Sequence, residues 1–385
     1  MYDEPSQAPS STSARFRFDE AHTLLNRQVH KGDHIQIVKV GDDQNAYGID
    51  FIELEEALPE IQRPADAVSI ADYQGAQPGD GVDDSDALIW AMNEAANTSS
   101  KTVYIPAGTW ELGRKIGLDH SDLTIRGAGM WYTNLRFTSD QVGGGGFVLN
   151  RGVGGVTMTD FYMSSSLTSR YGEKAQYKGF AGSAGANTRV ANVWVEHFEC
   201  GFWMGDYVNQ KDMQYTENML VDHSRIRNNF ADGLNYSQGS RDSAVRNSNV
   251  RGNGDDGLAS WSSHAESKPG DPVQYVSNAR HTDNIEFTHN TIELGWRAGG
   301  IGFFGGSGQK AENNLITGNF EGAGIRLNTV FGGHNFDWNL TLNKRASIQR
   351  NKIVRSGTKD DYYGKSRGAI DFQEMWGTIF NVDVK

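Results

Sequence analysis

The chain repeats itself. Between Val221 and Trp261 it reads VDHSRIRNNFADGLNYSQGS and then RDSAVRNSNVRGNGDDGLASW, and aligning ADGL on DDGL sets the two halves 24 residues apart. Ser224 then matches Ser248, Ile226 matches Val250, Arg227 matches Arg251 and Asn229 matches Asn253. A period near 24 residues, built of short apolar strands and Asn/Gly turns, is that of one coil of a parallel β-helix. Adjacent coils stack at the strand spacing of ~4.8 Å, so matching positions lie over one another. The expected fold is all-β: a right-handed parallel β-helix from about residue 100 onward. Leu234, Leu258, Ile301 and Ile325 share a position after Gly in the repeat and are expected to stack inside it.

The same alignment places Asp232 on Asp256 and Ala231 on Asp255, so two copies of the unit carry three carboxylates. Like charges repel, and a fold has little structural reason to gather three of them. The alternative is that they are solvated turn residues or ligands of a structural calcium ion. Hydrolysis of a glycosidic bond needs a proton donor for the leaving oxygen and a base for water, and two carboxyl groups suffice. A third can orient the water or hold a neighbour protonated near neutral pH. The stacked pair Asp232 and Asp256 suits a shared water. Asp255 has no carboxylate above or below it and is expected to be the general acid, roughly 6.5–9.5 Å from a base.

In the following coil the alignment sets Ala298 and Gly299 opposite Asp255 and Asp256, leaving room for a sugar ring. Arg326, two coils beyond, is a candidate contact for hydroxyls or an ordinary surface arginine. Trp261 and Trp296 stand at the ends of coil strands, where each can stack on a pyranose face or pack under a loop. His264 and His281 bound a large insertion but do not make a metal site, and none is expected elsewhere.

Residues 1–65 differ from the rest. Phe16/Phe18, Ile35/Ile37 and Ile49/Phe51 alternate with polar residues, the pattern of half-buried strands. The stretch ends in IDFIELE and resembles the closing half of a carbohydrate-binding-type β-sandwich. Pro59 and Pro64 mark a linker to a second unit, 66–385. There, Asp84 or Ser85 can cap a helix whose Leu88, Ile89, Met92 and Ala96 share one face, closing the open end of the β-helix. The largest insertions between coils are expected at Ser262–His281 and Thr329–Lys344, as walls of a binding groove.

Composition narrows the ligand. The 385 residues carry a net charge of −12, which argues against nucleic acid and strongly acidic polymers. The 46 glycines suit tight turns, and the single cysteine, Cys200, excludes an internal disulfide. No apolar run reaches transmembrane length, so no membrane partner is expected. The first residues lack the regions of a signal peptide, so a secreted form would require a leader outside this chain.

Two motifs carry a family resemblance. The stretch GDGVDDSDAL resembles a segment shared across the pectate-lyase-like superfamily. More specifically, Asp232 in ADGLN with Asp255 and Asp256 in GNGDDGLASW resembles glycoside hydrolase family 87, the α-1,3-glucanases and mycodextranases. The resemblance extends over most of the chain. It implies an extracellular, endo-acting, inverting hydrolase of α-1,3-glucan or nigeran, acting as a monomer, with Asp232, Asp255 and Asp256 as its catalytic residues and no organic cofactor.

A polysaccharide lyase on the same fold is one competitor; it needs an acidic sugar and a basic residue beside the site, and none is evident next to the aspartates. A non-catalytic adhesin or tailspike-like module would bind glucan without releasing sugar. The GHG histidine motif of polygalacturonases is absent.

Overall fold

The computed structural model describes residues 19–41, 48–141, 143–167, 177–205, 214–262, 281–319, 321–329, 336, 344–357, 367–375 and 377–385. Phe16, Phe18, His264 and most of the two expected groove insertions lie outside these.

The described chain winds as a parallel β-helix. One face is a nine-stranded sheet running from Ile116–Leu118 to Ile370–Glu374. The other two join in an 18-stranded sheet, because the long strands Thr157–Ser165 and Arg189–Glu196 bend around the corner between them. Register follows the repeat: Ile226 pairs with Val250, and Leu234, Leu258, Ile301 and Ile325 pair in succession, each fully buried.

The turn residues have a geometric reason. At one corner of successive coils Asn192, His223, Asn247, His289, Asn313 and Arg350 each adopt a left-handed backbone, φ 46–58°. Asparagine tolerates that region better than most residues. Just past this corner the side chains turn inward as a ladder. Asn290 Oδ1 accepts the N–H of Ser248, Asn314 Oδ1 that of Asn290, and Asn351 Oδ1 that of Asn314, each at 3.0 Å. These bonds satisfy backbone donors that the bend withdraws from the sheet. Asn229 and Asn253 do the same at another corner, 3.1 Å apart.

The helix forms over Ser85–Ala96 and packs on the strands Val68–Ser69 and Thr102–Ile105 at the first coil. Its buried face is Leu88, Ala91, Met92 and Ala95 rather than one containing Ile89 and Ala96. Asp84 is the N-cap but its side chain makes no capping bond. Asp83 Oδ1 instead accepts the N–H groups of Ser85 and Gly113, joining the helix start to a coil. No described helix is long and apolar enough to cross a membrane.

The region before Val68 differs from the alternation pattern. Among its described residues no strand forms, and Ile35, Ile37, Ile49 and Phe51 are exposed. A sandwich strand is held by a neighbouring strand and a facing sheet; neither is built among these residues. The segment runs along the flank of the solenoid instead. Arg225 holds Glu55 through two bonds of 2.5 and 2.6 Å. Glu20 is held by Arg251 through two bonds of 2.7 Å and by Arg227 at 3.0 Å. His22 lies on Trp194, ring centroids 4.1 Å apart.

Candidate active site

The three aspartates sit in the turns that lead into the strands Leu234–Tyr236 and Leu258–Trp261 of the nine-stranded face. Stacking of the coils brings them together as the repeat requires. The Asp256 N–H donates to Asp232 Oδ1 at 3.1 Å, and the Gly233 N–H donates to the Asp256 carbonyl at 3.0 Å. Asp232, Asp255 and Asp256 each offer an oxygen within 4.8 Å of the other two. This is a separation between nearest oxygens, whereas the roughly 6.5–9.5 Å expected for an acid and base flanking a water is between whole carboxyl groups.

Their surroundings differ. Asp256 is buried, with Oδ1 accepting the Gly299 N–H at 3.0 Å and Oδ2 accepting from Arg326 Nη2 at 2.6 Å. Burial pushes its carboxyl above the ordinary range; Arg326 opposes this, and the charge of Asp255 adds to it. Asp232 Oδ2 accepts from the Asn235 amide at 3.0 Å. Asp255 is the most open, 28% exposed, with Arg297 at 3.3 Å.

Gly299 therefore does not leave room for sugar: it stacks on Asp256 and donates to it. The bare floor is one strand step further on. A Cβ at Gly302 would stand 3.0 Å from Asp256 Oδ2 and 2.8 Å from the Phe304 ring. An added methyl group there would press on the carboxylate and the Phe304 ring that lean over the strand.

Arg326 is an ion-pair partner of Asp256, not a solvated surface group. Its guanidinium lies 4.9 Å from the Phe304 ring centre, and Phe304 meets Trp261 with centroids 4.5 Å apart. Trp261 is thus one end of a stack that runs through Phe304 and Arg326 to Asp256. Trp296 takes the packing alternative: it is 2% exposed, donates its indole N–H to the Gly252 carbonyl at 3.1 Å and lies under Gly254. It presents no face to a sugar.

The sequence reading missed Arg297, Phe304 and Asn235. Arg297 directly precedes Ala298, which the alignment already set opposite Asp255. Phe304 is the register partner of Trp261. Both were within reach of the repeat. The lack of a basic partner was also mistaken, since Arg297 and Arg326 both touch the cluster. The trio has the spacing to hold a divalent cation, but Arg326 already supplies positive charge at Asp256.

The nine-stranded face carries a second feature. Its outward row runs Ala181, Trp203, Asn235, Ala259, Gly302, Arg326 and Asp371, each the register partner of the next. The aspartates overhang the middle of this row.

Comparison with known proteins agrees in family. Residues 81–374 match the model "alpha-1,3-glucanase catalytic domain D2", and residues 1–57 match "alpha-1,3-glucanase catalytic domain D1". Among solved structures, the Agl-KA catalytic domain is 43% identical with a TM-score of 0.74, over 85% of this chain and 55% of that one. The catalytic unit of a thermostable GH87 α-1,3-glucanase from Streptomyces thermodiastaticus strain HF3-3 is 24% identical, TM-score 0.63, covering 81% of this chain and 51% of that one. A GH87 α-1,3-glucanase catalytic domain solved with tetrasaccharides is 24% identical, TM-score 0.66, over 86% and 55%. The chain spans about half the length of these structures. No match was found among curated proteins. With its aspartate coils inside the matched region, the chain belongs to the α-1,3-glucanase catalytic-domain family, glycoside hydrolase family 87.

Proposed function

We propose that the protein is an endo-acting hydrolase of α-1,3-glucosidic bonds in an α-glucan, working by inversion with Asp232, Asp255 and Asp256. The observation that carries this is the carboxylate trio converging over a glycine floor with Arg326 bound to its most buried member. The relatives solved with nigerose add support. So do their aspartate-to-alanine variants, whose three substituted positions stand 23 and then one residue apart, the spacing of Asp232, Asp255 and Asp256.

Two oxygens no more than 4.8 Å apart can both reach one water at ~2.8 Å. The short separation therefore suits a water held jointly by two carboxylates while the third donates a proton. What supports Asp256 as that donor, over Asp255, is its burial: a carboxyl kept neutral to higher pH is what protonating a leaving oxygen requires. Its Oδ2 also leans over the floor of the groove. Asp232 and Asp255 then hold and deprotonate the water, and Arg326 stabilises the Asp256 anion left after transfer.

A lyase would need a neutral base, and Arg297 and Arg326 are both engaged by carboxylates. No organic cofactor is required, and the ion pair at Asp256 makes metal catalysis unnecessary. An extracellular monomer acting on polysaccharide is the setting proposed, without nucleic-acid or membrane partners.

Incubation with insoluble α-1,3-glucan, nigeran and polygalacturonate, with products read by chromatography, tests the substrate. Oligosaccharides are expected from the α-glucans and none from polygalacturonate, with no change on adding chelator. NMR of the first-formed product is expected to show the β-anomer; the α-anomer would refute inversion, and an unsaturated product absorbing in the ultraviolet would favour the lyase.

A further inference from the structure

We infer that Trp203, braced by the ion pair Lys178–Glu199, is a sugar-binding platform at one end of the groove, about two glucose residues from the bond that is cut. The inference rests on the functional reading above. Trp203 lies in the strand Cys200–Met204, between Phe202 and Met204, which are buried in the core. Alternation along a strand therefore sends its indole to the outer face, where it is partly exposed.

Its place in the outward row fixes the distance. Asn235 and then Ala259 separate Trp203 from Gly302, the floor beneath Asp256. Asp256 belongs to the coil of Ala259, two coil steps from Trp203, or about 10 Å. Arg326 lies two steps the other way. A pyranose ring is about as long as one coil step, so a chain laid along the row sets one sugar per coil. Of its two register neighbours Ala181 is small and Asn235 is fully buried, so the indole stands above its row.

The polar rim suits a neutral sugar. Lys178 Nζ lies 4.9 Å from the ring centre and donates to Glu199, fixing the ring's tilt by a cation–π contact. Glu199 stands in the column of Asp255: Ala231 donates its N–H to the Glu199 carbonyl, and Asp255 donates to that of Ala231. An indole face with an ammonium and a carboxylate at its edge offers an apolar surface for pyranose C–H groups, a donor and an acceptor for hydroxyls. The paired charges cancel, which favours an uncharged hexose over a uronic acid.

The test is a length series. Wild type, Trp203→Ala and Trp203→Phe are assayed on α-1,3-linked gluco-oligosaccharides from the shortest one cleaved upward. Trp203→Ala is expected to lower kcat/KM about tenfold on the longest members, through KM, and less than about twofold on the shortest. Trp203→Phe, which keeps an aromatic face, is expected to recover most of the loss and guards against failure of the Ala variant to fold. An equal loss at every length, or none at any, overturns the platform while leaving the hydrolase reading intact. A wild type inactive on every α-glucan overturns the hydrolase reading itself.

Discussion

Asp256 shows how one residue acquires a role from its surroundings. The sequence places it over Asp232 and beside Asp255, and from that spacing alone Asp255 was the better proton donor, having no carboxylate above or below. The folded chain buries Asp256 and leaves Asp255 open. Burial depends on what covers a turn, and periodicity does not report it. Asp256→Asn is expected to lower kcat on α-glucan by at least about a hundredfold. On α-glucosyl fluoride, whose leaving group needs little protonation, the loss should be much smaller. In the proposed mechanism Asp255 belongs to the base, so Asp255→Asn should lose both activities together. The reverse pattern would assign the donor's role to Asp255. Trp296 teaches the same limit: its place at the end of a coil strand left stacking on a sugar and packing under a loop both open, and its indole fills the space beneath Gly254.

At the scale of coils and turns, much of the molecule was legible. The 24-residue offset set Leu234 on Leu258 and Ile301 on Ile325, and with the first pair the carboxylate stack; the shared position after Gly joined the two pairs. Asn229 over Asn253 was visible as a match, though its purpose, feeding an amide oxygen to the backbone above, needed the corner geometry. The turn around Asp255 binds these features together. Gly254 donates its N–H to the carbonyls of Asn229 and Ala231, and a Cβ there would run into the Phe230 carbonyl and the Trp296 indole. Gly254→Ala is therefore expected to cost about 1–3 kcal/mol by overpacking. Because Asp255 follows directly, activity should fall even at temperatures where the variant remains folded. Gly48→Ala, with nothing within 4 Å, is the control and should be neutral. A Gly254→Ala enzyme of wild-type activity and melting temperature would show that this turn yields to the extra methyl group.

Over the whole molecule, what the sequence hid was the attachment of its first part. Alternation at Ile35/Ile37 and Ile49/Phe51 suggested sheet, whereas the described segment is tied to the solenoid by ion pairs. Those pairs join Glu20 to Arg227 and Arg251, 207 and 231 residues away. The arginines were visible as a repeated position, but nothing local named their partner. Burial tends to raise the Glu20 carboxyl, but Arg251 and Arg227 outweigh it and hold it below its ordinary value of 4.5. A carboxylate whose folded value lies below its unfolded one contributes stability that is fully present above the unfolded value. That contribution is lost as pH falls through the folded value. Glu20→Gln leaves two nearly buried guanidiniums, each 6% exposed, short of a counter-charge. It should cost about 2–3 kcal/mol at pH 7. Thermal melts at graded pH should show a lower Tm than wild type at neutral pH, with the gap closing as pH falls below about 4. Glu53→Gln, at a carboxylate 53% exposed, should shift Tm little at any pH. A Glu20→Gln deficit that stayed constant down to pH 3 would mean that the segment is held by the packing of His22 against Trp194 and Tyr162, and not by the charge of Glu20.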